Sequence, residues 1–237
     1  MVLFGTIVNG ICIIVGSTLG LFLSKIPERV KETVMHSIGL AVLLIGMQMA
    51  FATQSIIVVL LSMLIGSVVG EFIRLEESLN NAGDWFATRF ARSASESGMS
   101  FSQGFVTATL IFCVGAMAII GPLDSGIRGD HEVLLTKSVL DGFTALVLTT
   151  TLGSGVLFAF IPVLLYQGTL TLIATQVERW VPQDVLNGLI AEVTSVGGLI
   201  ILAIGLNMLK ITKIRVGNLI PSLVLVGLVY YVYHLIY

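Results

Sequence analysis

The sequence predicts an all-α polytopic membrane protein of about eight transmembrane helices, with two inverted three-helix repeats flanking a central helix pair. Three observations carry that expectation. Apolar runs recur at the ~20-residue length that crosses a hydrocarbon core of about 30 Å. Of the 237 residues 56% are hydrophobic and 11% charged, and the mean hydropathy is +1.01. A soluble domain carries roughly 25% charged residues to cover its surface. Finally, Gly39–Met49 (GLAVLLIGMQM) returns as Gly198–Met208 (GLIILAIGLNM), identical at six of eleven positions, with the amides Gln48 and Asn207 in equivalent places.

The flanks repeat in the same order. Ile26-Pro27-Glu28-Arg29-Val30 is echoed by Val181-Pro182-Gln183-Asp184-Val185, and Asn9-Gly10 with Gly16-Ser17 by Gln167-Gly168 with Ala174-Thr175. Leu64-Ile65-Gly66 meets Leu225-Val226-Gly227. Offsets near ~160 residues make the match collinear, as an internal duplication requires.

In chain order, the spans read as 3–23, 34–52, 55–73, 102–121, 134–152, 156–177, 188–209 and 217–237. They group into a first repeat (1–73), an interfacial segment (74–100), a central pair (101–155) and a second repeat (156–237). The first 24 residues carry no charge. They lack the basic start of a secretory signal, so Val2–Ser24 is expected to stay as a membrane span. Pro27 and Pro182 suit the first turn of a helix, where a missing N–H costs nothing. Pro122 is expected to close the fourth span. Pro162 and Pro221 are expected to kink the sixth and eighth. Span five is short before Gly153-Ser154-Gly155 and crosses only if it starts near Leu134.

Loops after the odd-numbered spans hold nine of the Lys and Arg residues, and the other side holds Arg128, Lys137 and Arg179. The positive-inside rule then puts the nine in the cytoplasm and both termini outside. Spans one to three and six to eight consequently run in opposite senses. Between them Phe72, Leu75, Leu79, Ala82, Phe86 and Phe90 step by three or four, with Trp85 beside them. That stripe predicts an amphipathic helix on the cytoplasmic headgroups, with Arg89 and Arg92 towards anionic lipid. Tyr230, Tyr231, Tyr233, His234 and Tyr237 read as an interfacial aromatic belt.

Gly16-x-x-x-Gly20 and Gly66-x-x-x-Gly70 are spaced for close helix contact, within the chain or in a homo-oligomer. Packing within the chain is favoured, because eight helices have many internal contacts to make.

Few residues could carry chemistry. Lys137 and Asp141, four apart on one face of span five, can neutralise each other where an isolated charge is costly. Gln167 falls mid-span beside Gly168, and a buried amide needs partners from a neighbouring helix or a solute. Asn9 is its repeat mate, and Gln48 with Asn207 forms the second amide pair. Glu71 and Glu192 fall near span ends, where solvated carboxylates are ordinary. Asp124 sits in a turn-forming stretch, and Thr149, Thr150 and Thr151 can bond back to their own helix.

Other classes lack support in the sequence. No H-E-x-x-H, G-x-S-x-G or G-x-x-x-x-G-K-[ST] occurs, so an enzyme is not expected. His36, His131 and His234 are scattered, Cys12 and Cys113 form no C-x-x-C pair, and neither a metal nor another cofactor is expected. A net charge of −2 offers no footprint for nucleic acid.

Phe112-Cys113-Val114-Gly115-Ala116-Met117-Ala118-Ile119-Ile120-Gly121, Lys137-Ser138-Val139-Leu140-Asp141-Gly142-Phe143, Tyr166-Gln167-Gly168 and Val196-Gly197-Gly198 form a set of motifs. In these the chain resembles the bacterial membrane-protein family catalogued as "domain of unknown function 554", over essentially its whole length. The resemblance implies a multi-pass protein of the bacterial plasma membrane and supplies neither substrate nor active residues. Its distinctive motifs cluster in spans four and five. The expected function is transport of a small solute or ion by alternating access around a midplane site. Gln167, Asn9 and spans four and five would line that site. The alternative is a non-transporting structural or regulatory membrane component.

Overall fold

A computed structural model describes residues 2–23, 28–79, 81, 101–180 and 182–236. Trp85, Phe86, Phe90, Arg89 and Arg92 of the expected interfacial helix lie outside them, as does Pro27. The described residues form helices and connecting turns, with no strand among them. The helices are α1 (Phe4–Phe22), α2 (Glu28–Ala50), α3 (Ile56–Phe72), α4 (Phe101–Cys113), α5 (Ala116–Ile127) and α6 (Glu132–Leu152). After them come α7 (Gly155–Phe158), α8 (Phe160–Trp180), α9 (Gln183–Met208), a 3-10 turn (Val216–Leu219) and α10 (Pro221–Ile236).

Each expected span falls on helix, but not all have a spanning length. Among the described residues five helical stretches are long and apolar enough to cross a bilayer, or six if α4 and α5, bent by 57°, make one span. His36–Ala50 and Ile56–Phe72 are shorter apolar helices. The 21 residues of α6 rise about 31 Å, enough for a hydrocarbon core.

α1 shows how such a sequence folds in lipid. Gly5, Thr6, Asn9, Gly10, Ile13, Gly16, Ser17 and Gly20 recur at helical spacing and are buried. Ile7, Ile11, Val15, Leu19 and Phe22 cover the opposite face and are exposed. Small and polar residues point inwards, and large apolar ones outwards. This reverses the water-soluble arrangement and suits a helix that packs by close backbone approach. α3 follows the same rule, burying Ser62, Gly66 and Gly70 while exposing Leu60, Leu64 and Val68.

Pro122 departs from the expectation. It does not close the fourth span but lies inside α5, and the break comes earlier, at Gly115. Gly115 has φ 131° and ψ 157°, a conformation essentially reserved for glycine, so the chain turns there. Pro162 lies in the sixth span, Gly155–Val177, three residues after a one-residue interruption of the helix at Ala159 that makes it the third residue of α8. Pro221 is the first residue of α10. Both stand in a first helical turn, where an absent N–H leaves no bond unmade.

The chain forms two compact units that interleave along the sequence, Met1–Val34 with Asn80–Pro182 and Met35–Leu79 with Gln183–Tyr237. In the first, α1 packs on α6 and α8, and α5 on α6 and α8, around Ile13, Phe112, Leu134, Leu148 and Val163. Gly5 meets Leu134, Gly16 meets the Gly142 carbonyl and Gly20 meets that of Leu146, so α1 and α6 run parallel. Gly10 meets Leu164 and Gly168 meets Leu3, so α1 and α8 run antiparallel.

In the second unit α9 and α10 form an antiparallel hairpin, with Gly188 against Tyr230 and Gly227 against Leu189. Gly39 lies by Gly205 and Gly46 by Gly198, which makes α2 and α9 antiparallel. Gly66 against Ser222 and Gly70 against the Asn218 carbonyl do the same for α3 and α10. Both G-x-x-x-G motifs thus face helices of their own chain.

Candidate functional site

The site grows from α1, α6 and α8 of the first unit. Lys137 and Asp141 stand one helical turn apart on α6, and the Lys137 ammonium donates to Asp141 Oδ2 at 2.5 Å. Both are 6% exposed. A charge this deep needs an opposite charge, because lipid and packed side chains offer it no solvation. Asn9, brought alongside by the glycine face of α1, donates Nδ2 to the same Asp141 oxygen at 3.0 Å. The same nitrogen donates to Gln167 Oε1 on α8 at 3.1 Å. Asn9 and Gln167 are both fully buried.

The direction of these bonds is fixed by chemistry. An ionised carboxylate only accepts, so Asn9 must turn its NH2 towards Asp141. Gln167 then turns its oxygen to Asn9. As a consequence Asn9 Oδ1 and Gln167 Nε2 have no hydrogen-bond partner, and neither does the buried Thr6 Oγ1 one turn earlier on α1. The cluster is electrically neutral and holds unused donors and acceptors.

Four of the six expected site residues therefore meet. The other two are in the second unit. Gln48 is exposed on α2. Asn207 ends α9 and holds the following loop: its Oδ1 accepts from Thr212 Oγ1 at 2.8 Å and from Ile214 N at 2.9 Å. Its Nδ2 donates to the Ile214 carbonyl at 2.7 Å. The two matching positions share an amide but not its surroundings.

Glu192 corrects a further expectation. It is no solvated span end: it is fully buried, well inside α9. Its Oε1 accepts the backbone N–H groups of Gln54 and Ser55, each at 2.8 Å, and Oε2 accepts the Thr53 hydroxyl at 2.7 Å. These donors sit at the open N-terminus of α3, where backbone N–H groups have no intrahelical partner. A carboxylate inside a 26-residue apolar helix was the available signal. Glu71 behaves more nearly as expected, half-exposed and paired with Arg215 at 2.5 Å and with Asn218 Nδ2 at 2.6 Å. Thr149, Thr150 and Thr151 bond back to carbonyls of their own helix.

The family described as "Protein of unknown function (DUF554)" matches residues 4–231, which takes in every residue of the cluster. The chain belongs to this family. It is 34% identical to "Uncharacterized membrane protein YdfK" of Bacillus subtilis (strain 168), over 98% of this chain and 97% of that protein. It is 32% identical to "Uncharacterized protein YqgA" of Escherichia coli (strain K12), over 93% of each. No solved structure matches. With its apolar helices and this kinship, the DUF554 chain is a membrane protein.

Proposed function

We propose that this protein transports a small solute across the bacterial plasma membrane by alternating access of inverted repeats, with its substrate at Asn9, Lys137, Asp141 and Gln167. The observation that carries the reading is the Asn9–Gln167 hydrogen bond, 3.1 Å between repeat mates 158 residues apart, beside a buried ion pair. The repeats would be built from three helices each, giving eight crossings with both termini outside. Support comes from the antiparallel packing of every repeat-mate pair: α1 with α8, α2 with α9, and α3 with α10. Inverted mates give a site the same surroundings from either face. When α1 and α8 exchange conformations, the side to which the cluster opens is exchanged too.

The reading is non-enzymatic. The chain would act by binding and release, with the bilayer as its surroundings, either alone or as a homo-oligomer. A second reading, a structural component, is favoured by the complete burial of Asn9 and Gln167.

Labelling of a Gln167→Cys variant, made in a background lacking Cys12 and Cys113, separates the two. A membrane-impermeant thiol reagent is applied to intact cells and to inverted vesicles. Reaction from both faces is the expected result. Protection from both faces in a folded, purified sample would favour the structural reading.

A further inference from the structure

Resting on that transport reading, we infer that the cluster binds a small zwitterion of the α-amino acid type, whose carboxylate faces Lys137 and Gln167 and whose ammonium faces Asp141 and Asn9. The unused atoms sort by polarity. Gln167 Nε2 has both its N–H groups free, and the Lys137 ammonium, with one hydrogen bonded to Asp141, supplies further donors. These suit a carboxylate. Asn9 Oδ1 and Thr6 Oγ1 are unpartnered acceptors, and Asp141 carries the negative charge. These suit an ammonium. The carboxylate is thus met by one charged and one neutral group, and the ammonium by one charged and two neutral ones.

Charge balance points the same way. Lys137 and Asp141 neutralise each other at 6% exposure, so a ligand with net charge would leave one charge uncompensated in a poorly solvated place. A zwitterion exchanges one internal ion pair for two pairs to itself and buries no net charge. A bare cation would meet the N–H groups of Gln167 and Lys137, and an anion would meet the Asp141 carboxylate.

The test uses the full chain in nanodiscs with radiolabelled glycine and L-alanine, and with acetate and methylammonium as competitors carrying one charge each. Glycine or L-alanine should bind saturably, and either competitor should be weaker by about 100-fold. Lys137→Met and Asp141→Asn should each weaken binding by about 10-fold or more. Because a single change leaves a lone buried charge, the double variant Lys137→Met/Asp141→Asn serves as the folded control. It should be monodisperse and should not bind.

Absence of saturable binding for both amino acids, equal competition by acetate or methylammonium, or undiminished binding by the double variant would overturn the inference. Uptake into proteoliposomes separates it from the transport reading. Binding without uptake retains the ligand class and removes transport, whereas uptake of a singly charged solute without zwitterion binding does the reverse.

Discussion

The carboxylate of Glu192 accepts the backbone N–H of Ser55 over 2.8 Å, closing the turn that begins α3 from a helix 137 residues further along the chain. A helix N-terminus normally obtains such an acceptor from its own N-cap side chain. Ser55 stands at that position, and its side chain makes no capping bond. The loop after α9, which holds the matching place in the sequence repeat, solves the same problem locally. There the Thr212 hydroxyl and the Ile214 N–H share Asn207 Oδ1, as the Thr53 hydroxyl and the Ser55 N–H share Glu192. The donors repeat and the acceptor differs.

Glu192→Leu should therefore destabilise the protein by about 2–5 kcal/mol, since it strands the Gln54 N–H and the Thr53 hydroxyl and leaves the Ser55 N–H only its bond to Thr53 Oγ1. Glu192→Gln should cost much less, because its oxygen still reaches both N–H groups and Thr53 can accept from its NH2. Thermal unfolding in detergent checks this. Equal loss in both variants would mean that the charge, and not the bonds, holds the turn.

Close helix approach can be tested at glycines that differ in what lies beside them. A Cβ on Gly16 would collide with the Gly142 carbonyl oxygen, which belongs to backbone and cannot rotate away. At Gly168 the nearest atom to a Cβ is a Leu3 methyl at 4.0 Å. Gly16→Ala should push α1 off α6 and lower stability by about 1–3 kcal/mol, the usual range for overpacking. Gly168→Ala should be neutral or slightly stabilising, because alanine favours helix. Unfolding midpoints of the two variants should fall clearly apart.

Between α4 and α5 the bend depends on one backbone conformation. Gly115→Ala should cost about 1–3 kcal/mol, or straighten the segment, because a Cβ is strained at φ 131°. Pro122→Ala should cost nothing and can gain stability, since it returns an N–H to the interior of α5. Spin-label distances across α4 and α5 would report straightening. A Pro122→Ala change that moved them more than Gly115→Ala would assign the bend to the proline.

How much of this is legible in the sequence depends on contrast. In apolar helices a polar residue stands out, so Asn9, Lys137, Asp141 and Gln167 can be singled out. The spacing of four fixes the Lys137–Asp141 pair, and the repeat links Asn9 to Gln167. Equivalence in a repeat copies position and residue type, but not neighbours. Gln48 is exposed and Asn207 is engaged by its own loop, although the two stand at matching positions. Glu192 stands out as a carboxylate in an apolar helix, but the partners that bury it come from the loop crossing α9, which the local sequence does not name. Pro122 misleads because the break at Gly115 precedes it, which turns an apparent helix end into an interior position.

The ion pair gives the sharpest test, because its members are worth more together than apart. Lys137→Met leaves the Asp141 carboxylate with one neutral donor, Asn9, at 6% exposure. Breaking a buried pair from one side typically costs about 3–5 kcal/mol, much of it the stranded charge. Asp141→Asn strands the ammonium instead and should cost a similar amount. Combining them removes both charges, and the amide that replaces the carboxylate can still accept from Asn9. The double variant should recover most of the lost stability, with a favourable coupling of about 2 kcal/mol or more in a double-mutant cycle. Additive losses would mean that Lys137 and Asp141 do not depend on each other. The neutrality on which ligand choice at this site rests would then have no basis.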